Sequence, residues 1–120
     1  HILMDRDGIH RVLLNVLLNA IQAIRKEGEI RISTTVTSQG EGGVSDRPFL
    51  CISVADTGAG IEQKQSQEVF KPFYSSKPGG TGLGLSISKN IISAHSGFME
   101  FESERGKGTI VRLYLPIAVE

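Results

Sequence analysis

The stretch "NVLLNAIQA" (15–23) places two asparagines, Asn15 and Asn19, four residues apart in an otherwise apolar run. On a helix that spacing stacks their amides one turn apart. Asparagine is a poor helix former, because its amide competes for backbone hydrogen bonds. A plain solvent-facing stripe is better served by Glu, Lys or Gln. At the helical period, Arg11, Asn15, Asn19, Gln22 and Lys26 share a wedge of roughly 80°, which either faces water or serves a ligand. The carbonyl oxygen of an asparagine suits a hard cation such as Mg²⁺, and its NH₂ group offers two donors. Two stacked amides can therefore hold a metal and polar ligand atoms side by side.

Two further stretches carry chemistry. "ADTGAGI" (55–61) ends a strand-like run with Asp56, followed by Gly58 and Gly60. A carboxylate at the mouth of a sheet accepts hydrogen bonds from an amine, and glycines allow close approach to the backbone. Alone, this pattern is more often a plain turn. "GGTGLGL" (79–85) opens a helix with glycines. The unpaired N–H groups and positive end of such a helix attract anions. The spacing of Gly80, Gly82 and Gly84 matches neither the dinucleotide fingerprint nor the P-loop.

The elements that must position these residues follow from the hydrophobic pattern. A long helix is predicted over 7–26, with Asp5 or Asp7 near its start and Gly28 just past its end. A strand is predicted over 29–37, with Ile30, Ile32, Thr34 and Val36 on a half-buried face. Residues 38–48 read as a turn-rich connector, and 49–55 as the partner strand of a hairpin. A short helix is expected over 62–69. The Gly/Pro-rich loop 71–82 is of a length uncommon in compact domains unless it is functional. A second long helix runs from about Gly82 to His95, with Leu83, Ile87, Ile91 and Ala94 spaced for burial. Strands over 97–103 and 108–115 follow, with Thr109, Val111, Leu113 and Leu115 facing inward. This order predicts an α+β, two-layer α/β sandwich, in which helices cover one face of a mixed, mostly antiparallel sheet.

Composition excludes several classes. The chain of 120 residues fits a single domain over 1–120. Thirteen basic and thirteen acidic residues cancel, so no bulk field points to nucleic acid or a membrane surface. No apolar run nears the ~20 residues needed to span a bilayer. The lone cysteine, Cys51, is expected to be a small core residue in a reducing compartment. The opening "HILMDRDG" reads as a strand tail entering a helix, as in a domain cut from a longer protein. His95, just before Ser96-Gly97, fits a helix C-terminus better than a phosphoacceptor. His1 and His10 have no acid or base partner in sequence.

Together these pieces resemble the Bergerat-type ATP-binding fold of the GHKL superfamily, and most of all the catalytic domain of bacterial sensor histidine kinases of the nitrogen-regulation type. "NVLLNAIQA" is similar to their N box, "DTGAGI" to the G1 box, "FKPFYSSK" (70–77) to the F box and "GGTGLGLSI" to the G2 box. The resemblance also covers "HSG…GKGTIVRLYLP" (95–116). It implies ATP and Mg²⁺ as ligands. Asn19 is then expected to hold the metal and Asn15 to face the phosphates. Asp56 is expected to accept the adenine amino group in a pocket shaped by Gly58 and Gly60, with Thr109 nearby. The backbone of Gly80, Thr81, Gly82, Leu83 and Gly84 is expected to meet the phosphates, Ile61 and Leu83 to wall the base, and Lys77 to approach the γ-phosphate from a lid. Phe70 and Phe73 are expected to anchor that lid.

Hydrolytic relatives in the superfamily keep a Glu where this chain has Asn15, and an amide cannot take a proton from water. Gln22 stands where many kinases have Lys or Arg, and Arg11, one turn before Asn15, is placed to supply that charge. The implied activity is transfer of a phosphoryl group to a histidine on a separate dimerisation domain in the parent chain. A response regulator receiver domain then takes the group. No nucleic acid or membrane contact is expected of this cytoplasmic domain, although its parent is compatible with a membrane anchor. Two alternatives share the fold: an anti-sigma-type serine kinase and a nucleotide-sensing module without kinase activity.

Overall fold

The computed structural model describes residues 4–24, 26–40, 43–60 and 84–117. Helix α1 spans Arg6–Ala23. Strands β1 (Ile30–Gly40) and β2 (Gly43–Asp56) form a long hairpin. Helix α2 (Gly84–Ala94) then leads into strands β3 (Phe98–Glu104) and β4 (Gly108–Pro116). The sheet order is β1-β2-β4-β3, and each described pairing is antiparallel. The short helix expected over 62–69 and the loop over 71–82 lie outside the described residues.

Both helices pack on one face of the sheet, chiefly over β2, β4 and β3. Alternation along the strands sends Val54, Val111, Leu113 and Leu115 to that face. There they meet Ile9, Val12, Val16 and Ala20 of α1 and Ile92 of α2. The inner face expected for β4 is therefore the observed one. The opposite face carries a smaller cluster of Phe49, Cys51, Phe98 and Tyr114. Phe98 stacks on Tyr114 with ring centroids 4.2 Å apart and meets Phe49 edge-on at 5.6 Å. Cys51 is buried there, as its apolar surroundings in sequence predict.

Four local expectations need correction. The first helix stops at Ala23, three residues early, and Gly28 does not cap it. Its final carbonyl instead accepts a hydrogen bond from Ala59 N–H at 3.2 Å, a tertiary partner that local sequence cannot supply. The connector over 38–48 is largely strand, because the hairpin ladder continues to the pair Gly40–Gly43 past an irregularity between Thr37 and Gln39. Ile32 and Val36 share the face of the core but are 55% and 68% exposed, since β1 is the sheet edge beyond the reach of α1 and α2. On α2 the fully buried positions are Ser88 and Ile92, while Ala94 is exposed and Ile91 only packs at the margin.

The end of α2 is a Schellman motif. Gly97 N–H donates to Ile92 O and Ser96 N–H to Ser93 O, each at 3.0 Å. The left-handed residue is Ser96, at φ 62°, and not the glycine after it. Gly97 is required for another reason: a Cβ there would sit 2.0 Å from Tyr114 O.

Candidate nucleotide site

Asn15 and Asn19 are half-buried on α1, whereas Leu14, Leu18 and Ile21 are 49%, 42% and 56% exposed. A helix that exposes leucine and shelters asparagine is not using its asparagines as a solvent face. Arg11 and Gln22, one before and one after the pair along the same wedge, are exposed, and Lys26 lies beyond the helix.

Helix α2 runs antiparallel to α1, and its first turn lies beside Asn15. A Cβ added to Gly84 would come 4.0 Å from Asn15 Cγ. The Asn15 amide donates from Nδ2 to Ser88 Oγ over a long 3.5 Å. Ser88 is fully buried, and its hydroxyl donates to Gly84 O at 2.8 Å.

At the C-terminal end of α1, Asp56 closes β2. Gly58 N–H donates to Asp56 Oδ1 at 2.8 Å, which fixes the carboxylate against its own loop. Thr109 faces Asp56 across the β2–β4 ladder. Ser103 donates to Gly108 O at 3.2 Å and lies 2.8 Å from Thr109 Oγ1. With the Ser103 proton spent on Gly108, the Thr109 hydroxyl donates to Ser103 and keeps its oxygen as an acceptor.

The 57–60 loop is pinned on three sides. Thr57 N–H donates to Glu29 O at 3.1 Å, and Glu29 N–H donates to Thr57 Oγ1 at 2.9 Å. Ala59 N–H reaches Ala23 O, and Gly106 N–H donates to Ala59 O at 2.7 Å. The glycines here serve the fold first. A Cβ on Gly58 would stand 2.5 Å from Ala23 O, and one on Gly60, at φ +66°, would stand 2.1 Å from Glu104 O. The close approach that sequence assigned to a ligand is thus already made by the protein's own backbone.

The structure therefore sets Asn15 and Gly84 beside the middle of α1 and the Asp56 loop, with Thr109, at its C-terminal end. Asn19 lies between them. The distance along the helix from Asn15 to Ala23 is about 12 Å. Ile61, Lys77, Gly80, Thr81, Gly82 and Leu83, with Phe70 and Phe73, lie outside the described residues. Among the described residues no group of three His, Cys, Asp or Glu side chains is placed to hold a metal ion. A cation here would rest on amide oxygens, for which the Asn pair is suited. Sequence reasoning missed Ser88 and Ser103. The signal for Ser88 was present, since a serine amid apolar residues in "GLGLSIS" is as anomalous as the asparagines of α1.

Comparison with known proteins places these features in context. The family model described as histidine kinase-, DNA gyrase B-, and HSP90-like ATPase matches residues 4–119. The chain is 42% identical over 113 residues to the sensor histidine kinase ZraS of Klebsiella oxytoca, covering 94% of this chain and 23% of that protein. It is 44% identical over 115 residues to the sensory histidine kinase/phosphatase NtrB of Klebsiella oxytoca, covering 94% of this chain and 33% of NtrB. Among solved structures, full-length ShkA in complex with AMPPNP superposes with a TM-score of 0.80 at 27% identity, covering 99% of this chain and 23% of ShkA. The chain thus spans a third or less of these relatives.

Proposed function

Because this chain belongs to the histidine kinase-, DNA gyrase B-, and HSP90-like ATPase family, as the catalytic ATPase domain of a sensor histidine kinase, we propose that it binds Mg·ATP and presents the γ-phosphoryl group to a histidine outside this chain. The observation that carries the reading is the inversion on α1, where Asn15 and Asn19 are sheltered while Leu14 and Leu18 are exposed. Amides sheltered on a helix wall suit a triphosphate with its cation, because their oxygens ligate a hard ion and their NH₂ groups donate to phosphate oxygens. About 12 Å of helix separates Asn15 from Ala23, against which the Asp56 loop is pinned, so the two groups of polar residues stand apart along one wall of α1.

In this reading Asp56 and the oxygen of Thr109 receive the adenine edge, the Asp56 carboxylate being held in place by Gly58 N–H. Asn15 and Asn19 hold the phosphate end, with Asn19 as the metal ligand. Backbone N–H groups of 80–84 cradle the phosphates, and Lys77 adds a point charge. Mg²⁺, when bound, neutralises charge on the transferring phosphates. The domain supplies no nucleophile. An imidazole nitrogen of the partner domain forms the N–P bond as the bond from phosphorus to the β–γ bridging oxygen breaks and ADP departs. With an amide at position 15, no side chain there takes a proton from water, so ATP survives until that imidazole arrives. The dimerisation domain, the receiver domain that accepts the phosphoryl group, and a cytoplasmic setting where ATP is supplied all belong to this proposal.

Incubation with γ-labelled ATP tests it. The isolated chain should bind ATP but take up no label. A helical hairpin bearing the acceptor histidine, taken from the parent protein, should acquire an acid-labile, alkali-stable phosphate. Label on a serine of a partner would assign the chain to the serine kinases instead.

A further inference from the structure

We propose that Ser88 is a positioning residue that fixes which way round the Asn15 amide lies. The inference rests on the nucleotide reading above but concerns a residue outside the recognised motif positions. Ser88 is fully buried, so its single hydroxyl proton must be used within the protein. That proton goes to Gly84 O at 2.8 Å. Its oxygen can then only accept, and the group that meets it is the Asn15 side chain. An acceptor selects the NH₂ end of an amide and rejects the carbonyl end. Nδ2 is therefore drawn toward α2, and Oδ1 is turned away from Ser88.

The consequence is chemical. Without Ser88 that contact no longer selects one orientation of the amide, and NH₂ can stand where a cation needs oxygen. With Ser88 in place, the hard oxygen of Asn15 is held on the side away from Ser88, one helical turn from Asn19. The same arrangement explains why position 15 suits an amide and not a carboxylate. A carboxylate would bring oxygen against an oxygen whose proton is already committed.

Two measurements on this chain test the proposal. The first needs no nucleotide: the ¹⁵N side-chain signals of Asn15 should show one protected N–H in the wild type, lost in Ser88→Ala. Equal exchange of both protons in the wild type would overturn the assignment. The second is ATP titration with and without Mg²⁺. Ser88→Ala should weaken binding about fivefold with Mg²⁺, the size of one hydrogen bond, and leave the Mg²⁺-free affinity unchanged. In an Asn15→Ala background, Ser88→Ala should add nothing. Equal loss with and without the metal, or full additivity with Asn15→Ala, would reduce Ser88 to a packing role. If the wild type bound no ATP while the Asn15 signal behaved as expected, the nucleotide reading would fall and the amide orientation would stand.

Discussion

The backbone N–H of Asp5 donates to Nε2 of His95 at 2.8 Å, tying the start of α1 to the end of α2 across 90 residues of sequence. The other ring nitrogen, Nδ1, lies 2.8 Å from Ile91 O, a carbonyl that can only accept. Nδ1 therefore carries a proton and donates it to Ile91, anchoring the ring on α2, while Nε2 accepts from Asp5 and holds the start of α1. This accounts for a histidine at the C-terminus of α2 without any role as phosphoacceptor. His95→Phe should lower the unfolding free energy by about 1–2 kcal/mol through loss of both bonds. Urea denaturation measures that, and ¹⁵N shifts of the ring should report the Nδ1–H tautomer. An unchanged midpoint would show that the tie contributes nothing.

Tyr114 should make the domain sensitive to alkali. Burial, and then the 2.6 Å hydrogen bond from its hydroxyl to Glu100, raise its phenol above the ordinary value of 10. The folded chain thus holds this proton more tightly than the unfolded chain does. The stabilisation is complete below about pH 10 and fades as pH rises beyond it. Denaturation curves between about pH 8 and pH 11 should show this decline, and Tyr114→Phe should flatten it. A wild type as stable at the top of that range as at the bottom would contradict the sign.

Gly60 and Gly106 both lie at positive φ, +66° and +85°, but only one is crowded. An alanine Cβ at 60 would meet Glu104 O at 2.1 Å, whereas one at 106 meets nothing within 4 Å. Gly60→Ala should cost roughly 2–4 kcal/mol by forcing the 57–60 loop off the β3–β4 turn. Gly106→Ala should cost only the backbone term, about 1 kcal/mol. Thermal unfolding of the two variants side by side decides the matter, and equal losses would mean that crowding at Gly60 is relieved cheaply.

Asp56→Asn should weaken ATP and ADP to the same degree, because the carboxylate is assigned to the base and not to the phosphates. Loss of one charge-assisted hydrogen bond corresponds to roughly 1.5–3 kcal/mol. Isothermal titration with both nucleotides gives the comparison. Tight binding of GTP by the wild type would remove the adenine-reading role.

Asn19→Ala should abolish the gain in ATP affinity that Mg²⁺ brings, while metal-free binding persists. No described cluster of carboxylate, cysteine or histidine side chains stands ready to replace it. A variant that kept its full magnesium dependence would move the metal to other residues.

What the sequence determined by itself were the features that depend on local pattern. The alternation of Thr109, Val111, Leu113 and Leu115 gave the inner face of β4, because side chains in a strand alternate whatever surrounds them. The anomaly of Asn15 and Asn19 in a greasy helix was equally visible, since it violates helix propensity. Tertiary structure alone decided where α1 stops, because the N–H that satisfies Ala23 O comes from Ala59. It also decided that Ile32 and Val36 stay exposed, for an edge strand and a central strand carry the same alternation and differ only in what lies above them. The glycines of the Asp56 loop read as room for a ligand, yet their Cβ positions are occupied by backbone from α1 and the β3–β4 turn. The bond from Asn15 to Ser88 joins residues 73 apart, and such a contact exists only once two helices have packed antiparallel on the same sheet.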